Sequence, residues 1–160
     1  MRKTYRVLTL IALIEIVVQA GAVAWAQFGL GRYVAEGNTI NKAMLECRDC
    51  GMNFVEEYGF MIHGMNGAMI IPVIGLVLLI VSFFVRNRAL TLWAVLAFVL
   101  ILVQSQVLPM LGRGMPGFGA VHGVTALALL LVLVTMWIAA KPPASAVAPR
   151  TASPAASAAA

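Results

Sequence analysis

The sequence predicts an all-α protein that crosses a membrane four times as an up-down-up-down helical bundle. Three observations carry that expectation. Of 160 residues, 62% are hydrophobic and only 11% are charged, whereas soluble domains average about 45–50% and about 25%. Four windows are also long enough to span a bilayer, whose core of about 30 Å needs about 20 apolar residues. They are the 25 residues between Arg6 and Arg32, with Glu15 as their one charge, the 28 between Glu57 and Arg86, the 24 between Arg88 and Arg113, and the 27 between Arg113 and Lys141. Finally, all but one of the connections are short, which makes consecutive helices antiparallel neighbours. A soluble globular domain is excluded.

Residues 1–6 carry Arg2, Lys3 and Arg6 and no acid. They read as a cytoplasmic N-terminus, because basic residues collect on the inner side of a membrane. The first helix follows over about 7–30. Its apolar run ends at Ala24-Trp25-Ala26, a pattern that also suits a cleaved secretory signal, but Glu15 interrupts the signal core and the run is long for one. Glu15 should face the bundle, protonated or hydrogen-bonded, because a carboxylate alone in lipid is costly. It lies one helical turn from Gln19 and is a candidate proton relay; a small transporter built around it is a further, weaker alternative.

The outer loop, 31–57, holds Cys47 and Cys50 in a CxxC and a mixed apolar and charged stretch, Ile40 to Tyr58. The stretch is expected to form a surface-lying amphipathic helix interrupted at Gly51. The cysteines are expected to be a disulfide staple, with a redox-active pair as the alternative. Glu56 and Glu57 end the loop just before the membrane. Glu57 is a candidate proton relay or a partner for a ring nitrogen, and a solvated acidic edge is the alternative.

The second helix occupies about 58–85, bent near Ala68 because Pro72 lacks a backbone donor. Met61, Met65 and Met69 repeat on it at helical spacing and read as packing. Arg86-Asn87-Arg88 makes a short inner turn, and the third helix runs over about 89–111. Gly and Pro in LGRGMPGFG force a tight hairpin into the fourth helix, about 118–140. The remainder, 141–160, is rich in Pro, Ala and Ser and cannot form a core; it reads as a disordered cytoplasmic tail. The basic excess of +5 thus reports topology in a cell (inner) membrane and contact with anionic lipid. No segment resembles a nucleic-acid-binding module.

Internal matches relate the two hairpins. Leu8-Thr9-Leu10 matches Leu90-Thr91-Leu92, Leu30-Gly31-Arg32 matches Leu111-Gly112-Arg113, and His63-Gly64 matches His122-Gly123. Such a parallel repeat implies a pseudo-twofold axis along the membrane normal. His63 and His122 then lie at one depth on diagonal helices and both point at the bundle centre. That arrangement suits two axial ligands of a b-type haem. Gly64, Gly67 and Gly123 would leave space for a flat macrocycle, and Gln104 and Gln106, near the same depth, could hydrogen-bond its edge. The alternative is that these are helix-end histidines, with the glycines serving close helix packing. Zinc is disfavoured because a third and fourth ligand are not evident.

The segment QSQVLPMLGRGMPGFGAVHGVTAL resembles the third helix, turn and fourth helix of one half of the haem A synthase family. HGMNG, with the later HGVTAL, also resembles a family of small bacterial four-helix membrane proteins of unknown function. The first resemblance implies a four-helix fold in which His63 and His122 are axial ligands, Cys47 and Cys50 the loop pair and Glu57 the acid before the histidine. The family places its Glu three residues before the histidine, where this chain has Phe60, and an Arg after it, where this chain has Gly64. Its cysteines are also further apart. The function expected is electron transfer or redox sensing, with a redox partner or a quinone and the option of a homodimer, and, if the chain is an enzyme, a haem-dependent membrane oxidoreductase. A non-enzymatic scaffold or accessory subunit is the alternative.

Overall fold

A computed structural model describes residues 1–46 and 51–141. Four helical spans, Arg2–Ala35, Val55–Val85, Arg88–Gly114 and Phe118–Ala139, are each long and apolar enough to cross a membrane. Each span packs against the next, and the fourth packs against the first, so the bundle is square and the second and fourth spans lie across its diagonal. The chain is a multi-pass membrane protein. Both ends of the helical chain, together with the Arg86–Arg88 turn, lie at one end of the bundle, the terminal end. Residues 36–46 and 51–54 and the hairpin around Met115 lie at the other, the loop end.

The first span runs 34 residues, or about 51 Å at about 1.5 Å per residue. It therefore extends beyond a core of about 30 Å and beyond the 7–30 read from the sequence. The excess at the loop end is held by what folds back on it. Arg32 bonds the carboxylates of Glu56 at 2.9 Å and Glu36 at 3.1 Å, and Phe54 stacks on Tyr33 with ring centroids 5.1 Å apart. Two glycines permit the contact between the first two spans. A Cβ on Gly29 would overlap the Glu56 side chain, and one on Gly59 would overlap the Ala22 carbonyl oxygen.

The expected amphipathic loop helix is described in part. Among the described residues of that stretch, Lys42–Glu46 is α-helical, residues 51–54 are irregular, and a 3-10 turn, Val55–Glu57, leads into the second span. Gly51 and the Asn53 turn account for the break, since Glu57 accepts bonds from the Asn53 backbone and side chain at 2.7 and 3.2 Å. Cys47, Cys50 and the tail from 142 onward lie outside the described residues.

The terminal half of the bundle is closely packed. Ala12, Leu78, Leu90, Ala94, Ala97, Leu129, Leu133 and Met136 are all buried in one cluster. Within it Tyr5 donates to the Leu90 carbonyl at 3.0 Å. Small residues on the third span let the backbones approach, as membrane interfaces require. The turn there is short because Arg86 adopts the left-handed conformation, φ 55°, and Asn87 caps the next helix by accepting from Leu90 N at 3.2 Å.

Two π-helical turns interrupt the spans, Asn66–Ile70 in the second and Val103–Val107 in the third. Each precedes a proline, Pro72 or Pro109, and is centred on the residue four before it, Ala68 or Ser105. A proline cannot donate to that carbonyl, and the helix widens where the bond is missing. The bend expected at Ala68 is thus a π turn, and Pro109 produces a second one by the same chemistry. Met61, Met65 and Met69 are 41%, 58% and 64% exposed, so this stripe faces the surroundings of the bundle and not its interior.

Candidate functional site between the histidines

The π turns lie where the bundle opens. Above the packed cluster, all four spans diverge around a cavity of about 1050 Å³, at the upper end of the about 300–1,000 Å³ usual for ligand pockets. Its walls come from Ile16 to Val23, His63 to Ile71, Ile101 to Arg113 and Phe118 to Leu130, and are mainly aliphatic. Gln19, His63, Gln104, Ser105, Arg113 and His122 supply the polar groups.

His63 and His122 meet across this cavity. Their ring centroids are 6.0 Å apart and their planes are inclined by 65°. Two imidazoles that share one metal, each at about 2.0–2.1 Å, place their centroids between about 4.5 and 6.5 Å apart, depending on the angle at the metal, and the pair falls within that range.

Each histidine is held by the same clamp. In the first hairpin, Gln19 is 8% exposed. With its amide oriented so that both ends find partners, its nitrogen donates to the His63 carbonyl at 3.0 Å, and its oxygen accepts from Asn66 Nδ2 at 3.0 Å and from Gly67 N at 3.2 Å. His63 O and Gly67 N are the groups an α-helical turn would pair with each other, so the Gln19 amide lies along the ladder where the helix passes into the π turn. In the second hairpin, Gln104 Nε2 donates to the His122 carbonyl at 2.8 Å, and its oxygen accepts from the Thr125 hydroxyl. Each clamp is thus a glutamine on an odd span that grips a histidine carbonyl and the polar residue three positions on.

The Nδ1 atom of His63 faces two Gln19 groups, the amide nitrogen at 2.7 Å and the backbone carbonyl at 3.2 Å. They select different tautomers. The amide donates into an unprotonated Nδ1, whereas the carbonyl accepts from a protonated one and leaves Nε2 free for a metal, the arrangement usual for ligating histidines.

Among the described residues, no group of three or more His, Cys, Asp or Glu side chains converges to hold an ion. A bare zinc ion would find two of its four ligands, whereas a haem brings four nitrogens of its own and asks the protein for two. The glycines fit this. A Cβ added at Gly64, Gly112, Gly119 or Gly123 meets nothing within 4 Å, and all four line the cavity. Gly67 is different, because its Cβ would touch Gln19 at 3.4 Å.

The other sequence candidates are distributed unevenly. Gln104 lines the cavity, but its amide is committed to His122 and Thr125. Gln106 is exposed, bonds Ser105 at 3.3 Å and lies outside the cavity. The Glu57 carboxylate is bonded to Asn53. Glu15 does not line the cavity either, but it accepts a 2.7 Å bond from Asn66 and so joins the His63 clamp. Sequence reasoning missed Gln19, Asn66 and Thr125 as clamp residues. The available signal was a polar residue three positions after each histidine, in HGMN and HGVT.

No protein-family model, curated protein or solved structure matches this chain. The likeness to a haem A synthase half therefore rests on its short motifs.

Proposed function

We propose that the chain is a haem protein of the cell membrane, with a b-type haem held between His63 and His122 for electron transfer or redox sensing. The observation that carries this reading is the 6.0 Å approach of the two rings inside a four-span cavity. When bound, the haem would supply one-electron chemistry tuned by its axial ligands and its burial. Gln19 and Gln104 fix the depth of the two rings, and Gly64, Gly112, Gly119 and Gly123 leave the cavity open for the macrocycle.

The segments at the terminal end are basic and free of acids, which supports placing both termini in the cytoplasm and the loop end outside. Electrons would come from and go to a redox partner or a quinone in the bilayer, and a second copy of the chain could complete the assembly. A scaffold or accessory subunit is favoured by one observation, that both histidine carbonyls are used to tie helices together.

Titration of the detergent-purified chain with haem separates the two. The haem reading predicts saturation at one haem per chain, with binding lost in His63→Ala and in His122→Ala while both variants still assemble. A well-folded wild type that takes up no haem would leave the scaffold.

A further inference from the structure

The two clamps end differently, and the difference points to a function that the histidines alone do not provide. In the second hairpin the bonds close locally, with Thr125 returning to the Val121 and His122 carbonyls at 2.9 and 3.1 Å. In the first they continue. Asn66 Nδ2 donates both to Gln19, at 3.0 Å, and to the Glu15 carboxylate, at 2.7 Å. A chain of hydrogen bonds therefore runs from an acid inside the first span through two amides to the His63 backbone carbonyl.

We propose that Glu15 is a redox-linked proton site, which takes up one proton when the His63–His122 centre gains one electron and releases it when the electron leaves. This inference rests on the haem reading above. Two observations at the acid carry it. Glu15 is the only acid within a membrane span below the loop end, and intramembrane acids are rare and functional. In addition, Asn66 is 6% exposed, and its Oδ1 is buried without a hydrogen-bond partner. The Glu15 carboxylate accepts from Asn66 Nδ2 at 2.7 Å, so the acid and this buried amide form one polar group inside the span.

The charge balance follows. One electron from a small-molecule reductant removes one positive charge from the centre, and one proton from water neutralises the Glu15 carboxylate. Few other groups can take this proton. The ionisable side chains of the spans packed on the first are Glu56, Glu57, Tyr58 and His63 on the second and His122 on the fourth. Glu56 is paired with Arg32, Glu57 is bonded to Asn53, and Tyr58 lies exposed at the loop end. The two histidines are the ligands. On the first span itself, Arg2, Lys3, Tyr5 and Arg6 lie at the terminal end and Arg32 and Tyr33 at the loop end.

The test is the midpoint potential of the full haem-loaded chain between pH 5 and 9, with dithionite as reductant, in wild type, Glu15→Gln and Asn66→Leu. In wild type the potential should fall as pH rises over part of this range, by no more than a tenfold change in the reduced-to-oxidised ratio per pH unit, which is 59 mV for one electron. Glu15→Gln should keep its spectrum and lose the slope. Asn66→Leu retains the acid but cuts the chain of bonds, so its slope should shrink, and it decides the matter if Glu15→Gln does not fold. A haem-loaded Glu15→Gln with the wild-type slope would overturn this inference and leave the haem reading standing. A wild type without haem would overturn both.

Discussion

The two glutamine clamps have the same parts and different surroundings. Both grip a histidine carbonyl and the polar residue three positions later, so the rings meet at one depth. The difference lies in what each clamp holds up. Gln104 secures one carbonyl and one hydroxyl, whereas Gln19 satisfies His63 O, Gly67 N and Asn66 at a π turn and links them to Glu15. One clamp therefore positions its ring, and the other is also joined to the Glu15 carboxylate. In the proposed assignment, two similar clamps would place two ligands while only one of them carries the coupling.

The strongest way to break the equivalence is to fill the cavity on one side. Gly123→Leu or Gly64→Leu should lower haem affinity tenfold or more in titration. Either should leave thermal stability unchanged or raised by up to about 1 kcal/mol, because glycine is a poor helix former. Loss of fold would contradict the open space at those positions. Next comes the contrast between the clamps. Gln19→Leu strands three buried groups and should cost about 2–3 kcal/mol in chemical unfolding, whereas Gln104→Leu should cost about 1 kcal/mol, since single interhelical bonds in membranes are worth about 0.6–1.7 kcal/mol. Equal losses would remove the asymmetry. Tyr5→Phe, in the packed terminal half, deletes one buried bond to Leu90 and should cost about 1 kcal/mol without changing haem content. The smallest effect is expected for Arg32→Gln, whose partners Glu36 and Glu56 lie at an exposed edge: within about 1 kcal/mol, and less at high salt.

The fold was legible because charge-free windows and a 62% apolar composition leave a membrane chain few options. Short turns then order the helices around a square. The histidine pair was legible for a related reason, since two matched positions on diagonal helices must face each other. The clamps were not. Gln19 reads as an ordinary polar residue until the bundle places it against His63 and Gly67, and Asn66 gains meaning only as the link between Gln19 and Glu15. The π turn at Pro109 was readable in principle, because Pro72 supplied the same chemistry one helix earlier. The loop was least legible, because its apolar and charged pattern fits a helix, whereas Glu57 is drawn into a turn with Asn53.

The central claim is that His63 and His122 jointly hold one haem. A reduced-minus-oxidised absorbance spectrum of the purified chain tests it most directly, recorded beside His63→Ala and His122→Ala after expression with ample haem precursor. The account predicts sharp low-spin bands in the wild type and their loss in each variant. Bands that survive both substitutions, or a folded wild type with no bands, would contradict it.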